Sequence, residues 1–383
     1  MPIFDSFATP QSVLGEKRDM TKISETKIAK YQKLGLRSAL KLKNKQLRDF
    51  FERAEAEGCR MFQFPFNLQG KEWGFFRAPF RKELDGVDIA CVGIPLDSSA
   101  PNFAGARHGP EAVRRWSHLQ GPMHHLSKLI PFESCNIVEY GDVDFTGLNH
   151  MDRINDIYET YRKIKAAGVV PLSVGGEHTM TYPILKAIAQ DEPVGLIHID
   201  AHGDTTGFLT DDGSDVHDGN CFSLAAMDGL IDPERTIQIG IRGASSWCWE
   251  FSEDSGMRVV YAEEVQERGV KAIVEEAREI IGDGPCYLTI DVDALDPAYM
   301  PGTGVPEPFG LTPLEVRDII RGMRGLDIVG ADIAEICPAR DSQEISATLG
   351  AALTFEMLCL LTEAQVARTG NTRKTHWGSS LNE

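Results

Sequence analysis

From Val87 onward the chain alternates short apolar, β-branched runs with longer segments of helical periodicity. The runs fall at 88–95, 168–174, 194–199, 236–241, 258–261, 286–290 and 327–335. The helical segments fall at 109–116, 153–167, 182–189, 265–281, 313–324 and 343–367. Strands joined through helices must run parallel, and helices then cover both faces of the sheet. The expected fold is therefore α/β: a three-layer α/β/α sandwich around a central parallel sheet.

Two of the runs end in acidic clusters. Asp200, His202 and Asp204 follow 194–199, and Asp291 and Asp293 follow 286–290. Residues two apart on a strand point the same way, so Asp200 matches His202 and Asp291 matches Asp293. Open α/β sheets bind ligands outside the carboxyl ends of their strands. Carboxylates mixed with imidazole suit divalent first-row metals, and five such side chains exceed the needs of one ion. His178 ends another run through the Gly175-Gly176 turn. A single Asp-x-Asp is usually an ordinary loop; three such strand ends in one chain point to a site. His198 is expected to face away from Asp200, packed in the core or behind the ligands.

Composition narrows the partners. The formal net charge of −18 argues against nucleic acid or an anionic membrane as a partner, and is compatible with a small cationic one. No apolar run is expected to approach the ~18 residues of a membrane span. Residues 1–20 lack an apolar core and do not read as a secretory signal. Eight cysteines are scattered with no Cys-x-x-Cys pair, which fits reduced packing residues in a cytoplasmic protein.

The succession of Gly-Gly-Glu-His at 175–178, Asp-x-His-x-Asp at 200–204 and Asp-x-Asp at 291–293 resembles the ureohydrolase family of arginases and agmatinases. Residues 105–110 resemble its glycine loop, 301–307 its substrate-side loop, and 335–339 its guanidinium-binding segment. The resemblance spans roughly residues 85–365. It implies two divalent ions, nickel or manganese, bridged by Asp200 and Asp291. His178 and Asp204 would complete one ion's ligands, and His202 and Asp293 the other's. Water between two cations loses its proton readily and can then attack a guanidinium carbon. Asp204 would also hold that nucleophile, His217 would carry a proton to the leaving amine, and Glu335 would bind the guanidinium. Asp296 would shape a turn.

The resemblance leaves the guanidino substrate open. Phe309 stands where many relatives carry glycine, and a ring capping the pocket would favour guanidine, a small alkylated guanidine or a biguanide. The long N-terminal segment is similar to that of the guanidine-hydrolysing, nickel-preferring branch. Agmatine and guanidino acids are the alternatives. Two other readings compete: a single-zinc deacetylase-like site, which would not need both His178 and Asp293, and an inactive structural partner subunit. Residues 1–80 are expected to form a partly helical extension at a subunit contact, 81–370 the catalytic domain and 371–383 a polar tail. The resemblance implies a homohexamer. Phe62, Phe64, Phe66, Trp73, Phe75 and Phe76 would cover a neighbouring surface.

Overall fold

The computed structural model describes residues 23–35, 45–56, 74–210, 214–243 and 249–370. Two compact units divide at Ala56 and Glu57. The first carries two helices, α1 (Glu25–Gly35) and α2 (Lys45–Ala56). The second holds an eight-stranded sheet: β1 (Ile89–Ile94), β2 (Ile137–Asp142), β3 (Val170–Gly175), β4 (Val194–Ile199), β5 (Ile231–Ile241), β6 (Arg258–Tyr261), β7 (Cys286–Asp291) and β8 (Ile328–Ala334). The order across the sheet is β2-β1-β3-β8-β7-β4-β5-β6, with every pair parallel. β1, β3, β4 and β7 are buried along their whole length, as strands covered on both faces must be.

The covering helices are α3 (Gly109–Ser117), α4 (Pro131–Ser134), α5 (His150–Ala166), α6 (Thr181–Ile188), α7 (Cys221–Met227), α8 (Glu250–Ser255), α9 (Ala262–Arg268), α10 (Val270–Ile281), α11 (Pro313–Gly322) and α12 (Ile345–Thr369). α3 and α12 pack on each other and against β3 and β8, while α5 packs on α6 and α6 on α7. The expected three-layer α/β/α architecture is the one formed.

Several local expectations change. β2 escapes sequence reading because Glu139 and Gly141 interrupt its apolar run; Glu139 is nonetheless buried, its Oε1 3.0 Å from Arg114 Nη2. The single helix expected at 265–281 lies across α9 and α10, because Gly269 breaks it with a left-handed φ of +78°. The 342–369 stretch is long and apolar enough to cross a membrane by length and composition, contrary to expectation. With 72% of its most apolar window inside the protein, α12 is a core helix, and a protein interior selects the same composition.

The aromatic segment also resolves in part. Phe75 and Phe76 are buried on this chain's own core. The Arg114 guanidinium sits 4.3 Å from the Phe75 ring centroid, and Phe76 meets Phe355 at 5.7 Å. Phe62, Phe64, Phe66 and Trp73 lie outside the described residues, as do the 371–383 tail and Cys59 and Cys248. The other six cysteines are buried and free.

One turn is sterically strict. A Cβ at Gly176 would overlap the Leu96 backbone, carbonyl oxygen included, so the chain leaving β3 can hug β1 only through glycine. Gly176→Ala is expected to destabilise the fold by about 3 kcal/mol. Gly207→Ala, whose Cβ meets nothing within 4 Å, should shift stability by less than about 0.5 kcal/mol. Denaturant midpoints of the two variants check this, and equal midpoints would show that the turn can relax.

Candidate metal centre

The sheet register brings the expected ligands together. Val174, Ile333, Ile290 and Ile199 lie side by side across β3, β8, β7 and β4. The residues that follow them in each chain segment include Gly175, Asp291 and Asp200, so four adjacent strands deliver their loops to one place. One residue earlier, Ser173, Asp332, Thr289, His198 and Gln238 form a second row across β3, β8, β7, β4 and β5. All five are fully buried and polar. By strand alternation Thr289 shares a face with Asp291, and His198 with Asp200. The polar row therefore supports the acidic cluster directly.

His178 Nδ1 lies 3.1 Å from Asp200 Oδ2, 3.0 Å from Asp204 Oδ2 and 3.4 Å from Asp291 Oδ2. Its other nitrogen, Nε2, is 2.7 Å from Thr289 Oγ1, which donates to Asp332 Oδ1 at 2.6 Å. With Thr289 donating onward, Nε2 carries a proton; against its burial, Asp200, Asp204 and Asp291 push this ring well above the ordinary histidine range, so without a metal Nδ1 holds a second proton between them. In the neutral ring Nδ1 would aim a lone pair at three carboxylate oxygens, and it has no partner of hydrogen-bond geometry among the described residues. A cation between these groups resolves that conflict, and a histidine whose far N–H is tied down is the usual form of a metal ligand. On the other side, His202 Nδ1 lies 3.0 Å from Asp293 Oδ2 and 3.6 Å from Asp200 Oδ1. Ligand atoms of His178, His198, Asp200 and Asp204 fall within 4.8 Å of one another, as do those of Asp200, His202 and Asp293. Asp200 belongs to both groups.

His198 corrects an expectation. Its Nε2 is 2.7 Å from Asp200 Oδ2, not turned away, because the two residues are two apart on one strand. Gln238 Nε2 sits 3.0 Å from His198 Nδ1 and also donates to the Gly203 carbonyl at 2.6 Å. His198 thus orients Asp200 instead of offering a free lone pair.

The carboxyl groups repel one another. Burial and then the neighbouring carboxylates push Asp291 and Glu335 above the usual carboxylate range, and burial raises Asp293 against the attraction of His202. Burial and then Asp200 push Asp204 up to about 6. Burial also opposes ionisation of Asp200, but His198, His178 and His202 hold it well below that range.

Glu335 is reached by an irregular backbone. Strand alternation from Asp332 would send it to the opposite face, yet its φ of +65° turns it back, and its Oε1 accepts from His178 N–H at 3.0 Å. Asp204, with φ +50°, is strained in the same way. A Cβ at Gly304 would stand 3.4 Å from Glu335 Oε2 and 3.2 Å from the Phe103 carbonyl, so the 98–104 and 301–307 loops flank that carboxylate. Glu177, pushed to about 7 by burial, anchors the first loop by accepting from Ser99 N–H and Oγ at 2.7 and 2.8 Å. Asn102 Nδ2 donates to the Gly304 carbonyl at 3.2 Å.

Neither His217 nor Phe309, both expected site residues, is among the grouped ligand atoms. His217 lies in the loop before α7, with Nε2 3.3 Å from Asp215 Oδ2 and without hydrogen-bond geometry. Burial holds its ring below the ordinary histidine range, against the attraction of Asp215. Phe309 is 81% exposed, so its ring does not line a closed pocket in this chain. Its φ of +64° and the Gly310 N–H bond to Asp296 Oδ2 at 3.1 Å make it a turn residue. Asp296 shapes that turn as expected, also accepting from Ala298 N–H at 2.9 Å.

Sequence reading missed Thr289, Asp332 and Arg242. The signal for the first two was a polar residue inside an otherwise apolar strand. Arg242, following β5, donates to the backbone carbonyls of Asp293, Ala294, Glu307 and Pro308, and so braces the loops beyond β7.

The sequence matches the arginase family over residues 87–359. A guanidinopropionase from Pseudomonas aeruginosa is 42% identical over 292 residues, which are 76% of this chain and 92% of that one. A mitochondrial agmatinase from Gallus gallus is 44% identical over 292 residues, 74% of this chain and 84% of its own length. A solved structure of a hypothetical agmatinase from Burkholderia thailandensis aligns with a TM-score of 0.73 at 36% identity, over 80% of this chain and 94% of that one. The match runs from β1 into α12 and takes in all three ligand-bearing strands and β8; the chain belongs to the arginase family of ureohydrolases.

Proposed function

We propose that this chain hydrolyses a tailed guanidino compound, such as a guanidino acid or agmatine, to urea and a primary amine. The observation that carries the reading is His178 Nδ1, buried and unpartnered against three carboxylates. His178 and Asp204 would hold one divalent ion, His202 and Asp293 a second, and Asp200 and Asp291 would bridge them. Bound there, manganese or nickel supplies Lewis acidity that activates water, and the positive charge that the carboxylates demand.

The remaining roles fall to this chain's own groups. Glu335 offers two oxygens to the forked N–H groups of a guanidinium. Asp204 holds the attacking water by a hydrogen bond. His217 delivers a proton to the departing amine, a task suited to an imidazole. The expectation of guanidine or a biguanide rested on Phe309 as a cap and on the long N-terminal segment, and the exposed ring removes the first of these supports. The relatives named for guanidinopropionate and agmatine favour substrates with a tail.

Purified protein should contain close to two divalent ions per chain by elemental analysis, and Asp200→Ala should empty both positions. A single zinc unaffected by His178→Ala would overturn the two-ion site. Thr289→Val should leave the fold intact but weaken one ion's affinity about 10- to 100-fold in chelator competition, through the lost support of His178. His217→Asn should lower kcat on the order of 10²–10⁴-fold with metal content unchanged. An unaltered kcat across pH would remove His217 from the reaction. Urea release should be faster from tailed guanidino compounds than from guanidine, methylguanidine or dimethylbiguanide. The reverse order would restore the small-substrate reading.

A further inference from the structure

Arg340 lies five residues beyond Glu335, on the 338–340 turn that leaves β8. Its guanidinium carbon stands 4.0 Å from the centroid of the Phe103 ring. A Cβ at Gly105 would touch Cys337 Sγ and come within 3.4 Å of Ala339 Cβ, so this turn packs on the 98–105 loop. Phe103 is the residue whose carbonyl faces Gly304 beside Glu335 Oε2. Arg340 and Glu335 are thus linked through one short, well-anchored loop.

The charge of Arg340 is not spent. Arg107, the other arginine on these loops, is bound by buried Asp97. Asp341, the neighbour of Arg340, commits both oxygens to Ser346 and Ala347 N–H at the start of α12, at 3.0 Å each. Among the described residues Arg340 makes no ion pair; its side chain is exposed and rests on the Phe103 face. Stacking of this kind fixes a guanidinium while leaving its N–H edges free. A free planar fork suits a carboxylate in a bidentate pair. An ammonium group in the same place would be repelled.

We propose that Arg340 receives the carboxylate of the substrate's tail and makes this site selective for guanidino acids over agmatine. The proposal rests on Glu335 holding the guanidinium at the other end, as argued above. Asn102 and Ser99 fix the loop that carries Phe103, so Phe103 is the platform and Arg340 the reader.

Steady-state urea release from 4-guanidinobutyrate, 3-guanidinopropionate, agmatine and N-butylguanidine tests this on the metal-loaded full chain. The wild type should prefer the two acids. Arg340→Gln should raise KM for them about 10- to 100-fold with kcat nearly kept, and leave N-butylguanidine unchanged. Arg340→Lys should recover part of the loss, and Arg340→Glu should move the preference toward agmatine. Equal losses on the acids and on N-butylguanidine would make Arg340 only a support for Phe103, and an unchanged KM for the acids would remove it from recognition. A wild type that prefers agmatine would overturn the assignment while leaving the ureohydrolase reading in place. No urea from any of the four would fail that reading instead.

Discussion

Repulsion among Asp200, Asp204, Asp291, Asp293 and Glu335 governs the middle of this molecule. Their carboxyl groups are buried or nearly so at the ends of neighbouring strands. A bare carboxylate in such a place is costly unless paired. The protein answers in layers. His178 and His202 stand between the carboxylates, and His198 donates to Asp200 from below. Asp332, which carries no ligand role here, is satisfied by Thr181, Tyr287 and Thr289. What these layers leave unbalanced is the charge that metal ions would neutralise.

The geometry that serves this charge is partly regular and partly strained. Parallel register alone sets Asp200 and Asp291 side by side. It cannot deliver Glu335, whose place in the alternation is the wrong face. A left-handed backbone at a residue with a Cβ costs on the order of 1–3 kcal/mol, and the sheet's burial on both faces holds it there. Gly176 contributes from the other side by letting the His178 turn lie against Leu96.

Much of this was legible in the chain itself. The alternation of runs gave the parallel sheet, and the spacing of Asp200, His202, Asp204, Asp291 and Asp293 gave the cluster. β2 was hidden because a buried ion pair, Arg114 with Glu139, replaces the apolar pattern that marks a strand. The support of His178 by Thr289 and Asp332 was hidden for another reason. It joins three strands distant in sequence, and only the register brings them together. The direction of His198 is written in the two-residue period, which sets it on the same face as Asp200. The exposure of Phe309 was not readable, since a turn residue at positive φ leaves no mark when it is not glycine.

The ligands and their polar supports project from strands, or from the first turns beyond them, whereas Phe103, Asn102, Gly304 and Arg340 belong to loops. Loops can exchange residues without moving the register of a sheet buried on both faces. Substrate preference can therefore drift over evolutionary time while the hydrolytic machinery stays fixed. Relatives a little over 40% identical to this chain, carrying names drawn from different guanidino compounds, are what such a division of labour would produce.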